Sequence, residues 1–115
     1  MLSAERIERL RRYLLEEETR LRQQILNLEI TSREADITTG NHMAEDATAA
    51  FDQAAAVSLQ RGHQIALAAV QRALARMADG TYGICERCHE PIDFARLKAI
   101  PHAALCMTCQ RVAEL

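Results

Sequence analysis

The sequence predicts a mainly α-helical protein, a long antiparallel helical hairpin of coiled-coil type joined to a small module organised by four cysteines. Three observations carry that prediction. Apolar residues recur at three- and four-residue steps along two long stretches, the period of a helix with one buried face. Glycine and proline, 4 and 2 residues in a chain of 115, are nearly missing from the first eighty positions. All 4 cysteines fall within "CERCHEPIDFARLKAIPHAALCMTC", residues 85–109.

Composition favours helix seams over a thick globular core. Hydrophobic residues make up 49% of the chain, but many are alanine, and the aromatic residues are only Tyr13, Phe51, Tyr82 and Phe94. Small side chains let helices approach closely and suit an elongated shape. Net charge is −2, which does not point to a nucleic acid partner. The charge is unevenly spread: no Lys or Arg lies between Arg33 and Arg61, whereas Glu34, Asp36, Glu45, Asp46 and Asp52 do. Such a stretch suits a basic partner, a cation or solvent, and suits a phosphate backbone least. The longest apolar run, residues 65–70, is too short to span a membrane, and the charged N-terminal stretch does not read as a secretory leader. A cytoplasmic location is therefore expected, where cysteines hold metal or do redox chemistry more often than they form structural disulfides.

The first helix is expected over residues 3–33, with Ser3 as its N-cap. Ile7, Leu10, Leu14, Leu21, Ile25 and Leu28 form its stripe, widened by Leu15 and Leu26. On the other face Glu5–Arg9, Glu8–Arg12, Glu16–Arg20 and Glu18–Arg22 are spaced i,i+4 in the favourable order and describe a solvated surface. Residues 35–46, "ADITTGNHMAED", break the pattern. Thr-Thr-Gly-Asn is poor helix material and Gly40 supplies turn freedom.

The second helix is expected to begin between Asn41 and Ala44, to reach Asp79 and to stop at Gly80. Its seam is traced as Phe51, Ala55, Leu59, Ala66, Val70 and Met77, interrupted by Gly62 and His63. Steps of eleven residues argue against a tight left-handed heptad coil throughout. The helices match in length, each about 45–55 Å at 1.5 Å per residue. Joined by a short polar connection, they should pair antiparallel, with the acid-rich residues 34–46 at the distal tip. Residues 1–79 are thus expected to form the hairpin, and residues 80–115 a finger with a C-terminal helix.

Cys85, Cys88, Cys106 and Cys109 are spaced Cys-x2-Cys-x17-Cys-x2-Cys. Each pair forms a knuckle whose tight turn aims two sulfurs at one point, and two knuckles complete a tetrahedral shell with Zn–S near ~2.3 Å. Four sulfurs leave no open position, so the expected cofactor is one structural Zn2+, adding roughly 10 kcal/mol or more to folding. Buried or disulfide-bonded cysteines fit the paired spacing less well, and a thioredoxin-type redox centre would need one Cys-x-x-Cys within a βαβ pattern. His89 and His102 are expected at the surface or behind the ligands, and His42 and His63 at polar turn or helix positions. Arg87, Arg96, Lys98 and Arg111 could offset the −2 formal charge of the tetrathiolate. Without a nucleophile–base pair or an open metal position, an enzyme is not expected.

The stretch "GTYGICERCHEPIDFARLKAIPHAALCMTC" resembles the C4 zinc finger of the DksA/TraR family of bacterial transcription factors. The resemblance is carried by Tyr82, Gly83, the four cysteines, Ile92, Arg96, Leu97, Ala99 and Pro101. It implies a protein that binds RNA polymerase directly and inserts an acidic coiled-coil tip into the secondary channel. By that resemblance Asp36, His42, Glu45, Asp46 and Ala47 would form the polymerase-contacting tip. The family's Asp-x-x-Asp-x-Ala frame falls here on His42, Glu45 and Ala47, and "NHMAED" is more similar to the tips of shorter relatives. Relatives that cooperate with guanosine tetraphosphate carry basic residues where this chain has Gly62, Ala69 and Gln110, so binding of that nucleotide is not expected. His89 stands where the family has Gly. A monomer is expected, because the seam is satisfied within one hairpin. Two other functions fit parts of the pattern: a DNA-binding zinc finger, since GATA-type fingers share the cysteine spacing, and a zinc-stapled protein-interaction adaptor. Residues 80–115 balance Arg87, Arg96, Lys98 and Arg111 against Glu86, Glu90, Asp93 and Glu114, which argues against the DNA reader.

Overall fold

The computed structural model describes residues 2–38 and 43–115, with side chains described for residues 2–30 and 49–115. The described residues form four helices: α1 (Ala4–Thr38), α2 (Met43–Asp79), α3 (Phe94–Ala99) and α4 (Met107–Ala113). No strand forms among the described residues; Ile84 and Pro91 make an isolated antiparallel bridge.

Ser3 opens α1 as expected. Its Oγ accepts from the Arg6 N–H at 3.2 Å and its carbonyl accepts from the Ile7 N–H at 3.0 Å, satisfying donors that a helix start leaves free. The helix continues to Thr38, beyond the expected stop near residue 33. Residues 34–38 include Glu and Ala, and the weaker formers Asp, Ile and Thr each cost at most about 0.7 kcal/mol, too little to end a helix without a glycine or proline. The expected turn residues 39–42, Gly40 and His42 among them, lie outside the described residues.

Leu10, Leu14 and Leu21 are buried in α1, and Ile7, Ile25 and Leu28 are half-buried, as their spacing required. Leu15 and Leu26 are exposed, correcting the wider stripe. On the solvent face Arg12 Nε lies 3.6 Å from Glu8 Oε1, one of the expected pairs.

The seam of α2 differs from the one traced in the sequence. Val70 is buried and Ala66 and Met77 are half-buried, but Phe51, Ala55 and Leu59 are exposed, Phe51 at 74%. Ala66, Ala69, Ala73 and Arg76 are also sheltered, but the continuous stripe runs through Ala49, Ala56, Gln60, His63, Leu67, Val70, Leu74 and Met77. From Ala56 onward these alternate steps of four and three, a mean of 3.5 residues that keeps one stripe facing a partner. The eleven-residue steps run through Ala55, Ala66 and Met77, of which Ala55 is exposed. The packed pattern admits the polar residues Gln60 and His63, both half-buried. Gln60 Nε2 donates to Glu29 Oε1 of α1 at 3.3 Å. The helix passes through Gly62 without a break.

The chain divides into two compact units, residues 19–67 and residues 1–18 with 68–115. Each contains one piece of α1 and one of α2, and the start of one helix is grouped with the end of the other, so the helices pair antiparallel. In the second of these units Leu10, Leu14, Val70 and Ala73 are buried, as are Tyr82, Cys85, Ile92, Leu97, Ala103 and Cys109. Leu14 and Leu97 are fully buried, each stabilising the fold by about 1.5–3 kcal/mol. Among the described residues no helix is long and apolar enough to cross a membrane.

Candidate metal centre

Gly80 ends α2 with φ +78, a conformation that costs an L side chain about 1–2 kcal/mol. The N–H groups of Thr81 and Tyr82 turn back to the Arg76 carbonyl at 2.9 and 3.2 Å, directing the chain into the first knuckle. Gly83, φ +84, is a second such turn, and a Cβ there would stand 2.9 Å from Leu2 Cδ1. Its carbonyl accepts from the Ile92 N–H at 2.7 Å. Cys85 N–H donates to the Glu90 carbonyl at 2.8 Å and His89 N–H to the Cys85 carbonyl at 3.0 Å, closing a loop around Cys85 and Cys88. His89, at φ +62, carries the left-handed strain expected where the family has glycine, and it is exposed, as is His102.

The second knuckle opens α4. Cys106 is the N-cap, its Sγ accepting from the Cys109 N–H at 3.5 Å and its carbonyl from the Gln110 N–H at 2.9 Å. The knuckles are tied together by the Glu86 N–H to the Ala104 carbonyl at 2.9 Å. Tyr82, buried under the module, donates its hydroxyl to the Pro101 carbonyl at 2.8 Å.

These turns bring together the four residues expected to hold metal. The Sγ atoms of Cys85, Cys88, Cys106 and Cys109 all lie within 4.8 Å of one another, with Cys88 and Cys106 at 3.8 Å. That spread matches a tetrahedron of sulfurs about 2.3 Å from a shared centre, and the four thiols form no disulfide. Backbone N–H groups, foremost that of Cys88, hold the Cys85 thiol down at about 5, so it ionises readily. Beside the Cys106 thiol, Cys109 is pushed up to about 12, because neighbouring sulfurs cannot all carry charge without a cation among them. The donor set therefore fits Zn2+, which supplies that charge and leaves no position for a water or substrate.

Two arginines escaped the sequence reading in this respect. Arg76 is the one buried charged residue among those described, and it bonds to residues on both sides of Cys85. Arg96, expected to offset thiolate charge and one of the residues carrying the family resemblance, bonds to residues on both sides of Cys106. No local pattern marks either contact, since each joins residues eight or more positions apart. Of the tip residues, Asp36 lies in α1 and Glu45, Asp46 and Ala47 in α2, while His42 lies outside the described residues.

Fold and site together define a helical-hairpin protein with a closed four-cysteine zinc module. Residues 80–115 match the prokaryotic dksA/traR C4-type zinc finger, so this segment of the chain is a finger of that type, its four clustered cysteines fitting one structural Zn2+. The chain is 36% identical over 74 residues to General stress protein 16O of Bacillus subtilis, a match covering 64% of this chain and 45% of that protein. It is 35% identical over 78 residues to the RNA polymerase-binding transcription factor DksA of Caulobacter vibrioides, covering 66% of this chain and 55% of the relative. The matches thus span about half the length of these curated relatives. The fold is similar to that of transcription factor DksA2 from Pseudomonas aeruginosa, with a TM-score of 0.85 and 25% identity over 97% of this chain and 85% of that one. It is also similar to the RNA polymerase binding protein and transcriptional regulator Dks from Chlamydia trachomatis, with a TM-score of 0.60 and 23% identity over 99% and 93%.

Proposed function

We propose that this chain is a transcription regulator that binds RNA polymerase directly and carries its acidic segment, residues 34–46, into the secondary channel. The observation that carries the proposal is the match to a relative named for RNA polymerase binding, extending over 78 residues and so beyond the finger itself. Cys85, Cys88, Cys106 and Cys109 ligate the zinc, whose role is to fold the finger. Asp36, His42, Glu45, Asp46 and Ala47 form the contacting tip. A polymerase active site presents Mg2+ and basic side chains, and a segment without Lys or Arg between Arg33 and Arg61 is complementary to it. With His42 and Glu45 in the family's tip frame, the regulatory effect differs from that of relatives with two aspartates there.

Guanosine tetraphosphate has no basic anchor at Gly62, Ala69 or Gln110, and the chain acts without it as a monomer. Direct readout of DNA is disfavoured by the even charge balance of residues 80–115. The test is co-purification with core RNA polymerase, competed by another secondary-channel factor. Micromolar or tighter binding that is lost to the competitor supports the proposal, and no binding at micromolar concentration overturns it. Deleting residues 36–46 should abolish the effect on transcription while retaining part of the polymerase affinity, whereas an adaptor acting through its finger would be unaffected.

A further inference from the structure

The two Cys-x-x-Cys knuckles share a feature that no zinc-ligand pattern requires. Arg76, in the last turn of α2, donates through Nη2 to the Ile84 carbonyl and to the Thr81 carbonyl at 3.2 Å, and its Nε lies 3.8 Å from Glu86 Oε1. Ile84 and Glu86 are the two neighbours of Cys85. Arg96, in α3, donates through Nε to the Leu105 carbonyl at 2.9 Å and through Nη1 to Met107 Sδ at 2.9 Å. Leu105 and Met107 are the two neighbours of Cys106. The leading cysteine of each pair is thus bracketed by one planar, multi-pronged guanidinium, although the two arginines come from different helices.

We propose that Arg76 and Arg96 are positioning residues for the metal centre, each holding the leading cysteine of its knuckle at the angle the tetrathiolate needs. The proposal rests on the assignment of the four cysteines to zinc. A guanidinium is suited to the task because its donors diverge in one rigid plane and can engage two acceptors at once, which an ammonium on a flexible stem does not reproduce. Arg76 adds a consequence of its own. It belongs to α2, so the first knuckle is seated on the helix end by the same side chain that brackets Cys85. Loss of metal should therefore be felt at the end of α2, and disorder there should be felt at the metal.

A positive charge near the sulfurs and a two-pronged grip on the residues that flank them lead to different outcomes on substitution. The protein is loaded with zinc, and the metal's transfer to a chromophoric chelator is timed; cobalt(II) loading reports thiolate ligation through its charge-transfer absorption. Arg76→Met and Arg96→Met should each speed zinc transfer about 10-fold or more, as loss of residues supporting metal ligands commonly does. Arg76→Lys and Arg96→Lys, which keep the charge and lose the fork, should show most of the same acceleration. Arg72→Met removes the exposed partner of Glu86, 2.8 Å away, and Lys98→Met removes an exposed finger cation; both should stay within about twofold of the parent.

Restoration of the parent rate by lysine would overturn the positioning role in favour of charge alone. Parental rates in both methionine variants would overturn it outright. Should a methionine variant fail to fold, the lysine variants and the cobalt spectrum still decide. A parent chain that holds no zinc overturns the metal assignment and this inference together, whereas one zinc per chain with unchanged transfer rates overturns the inference alone.

Discussion

Tyr82 shows how one residue joins the helix end to the finger. Its ring is buried and its hydroxyl donates to the Pro101 carbonyl at 2.8 Å, nineteen positions along the chain. Burial pushes its pKa up from an ordinary 10 to about 12, opposed by the nearby Arg76 guanidinium. The neutral phenol is favoured in the folded state, so its contribution is fully present below pH 10 and lost as pH rises through about 12. The chain has 2 tyrosines, so in a Tyr13→Phe variant Tyr82 is the sole source of tyrosinate absorbance. That absorbance should rise near pH 12, together with loss of the folded finger. A midpoint near 10 would mean that the ring is not held as described.

At the scale of the helices, burial separates residues that hydropathy alone ranks together. Leu14 is fully buried in α1, whereas Phe51 of α2 is 74% exposed. Leu14→Ala should cost about 2–5 kcal/mol, the transfer term plus a cavity in a packed seam. Phe51→Ala should change stability by less than about 0.5 kcal/mol, as at an ordinary surface position. Urea unfolding of the zinc-loaded protein measures both. A larger loss at Phe51 would restore the seam traced through Phe51, Ala55 and Leu59 and remove the four–three alternation through Gln60 and His63.

The whole molecule depends on metal for a reason of size. Residues 80–115 contribute few large buried side chains, chiefly Tyr82, Ile92 and Leu97, too few to hold a fold of that length on apolar burial alone. Zinc adds roughly 10 kcal/mol or more to such a module. Those residues also share a compact unit with residues 1–18 and 68–79. Chelation should therefore do two things: release the finger, seen as collapse of its amide dispersion in NMR spectra, and lower the melting temperature of the α1 start and α2 end. Mass spectrometry under native conditions should show one zinc per chain before chelation. A finger that stays ordered in excess chelator would leave the four thiols without a structural task.

Features that depend on neighbours along the chain are legible in the amino-acid order alone. The cysteine spacing determined the two knuckles, the scarcity of glycine and proline determined two long helices, Ser3 and Gly80 marked a start and a stop, and the Ile7–Leu28 stripe identified the buried face of α1. Each follows from local geometry: backbone dihedrals, a 3.6-residue period, the reach of two sulfurs across a tight turn. Which stripe of α2 is sheltered emerges only once the helices pack, because Phe51 and Leu59 outrank Gln60 and His63 in hydropathy and are nevertheless the more exposed. The Thr38 end of α1 was missed because weak helix formers do not stop a helix. The roles of Arg76 and Arg96 were also beyond local reading, since an arginine in a helical pattern reads as surface charge until the carbonyls it will meet, eight or nine residues away, have been folded against it.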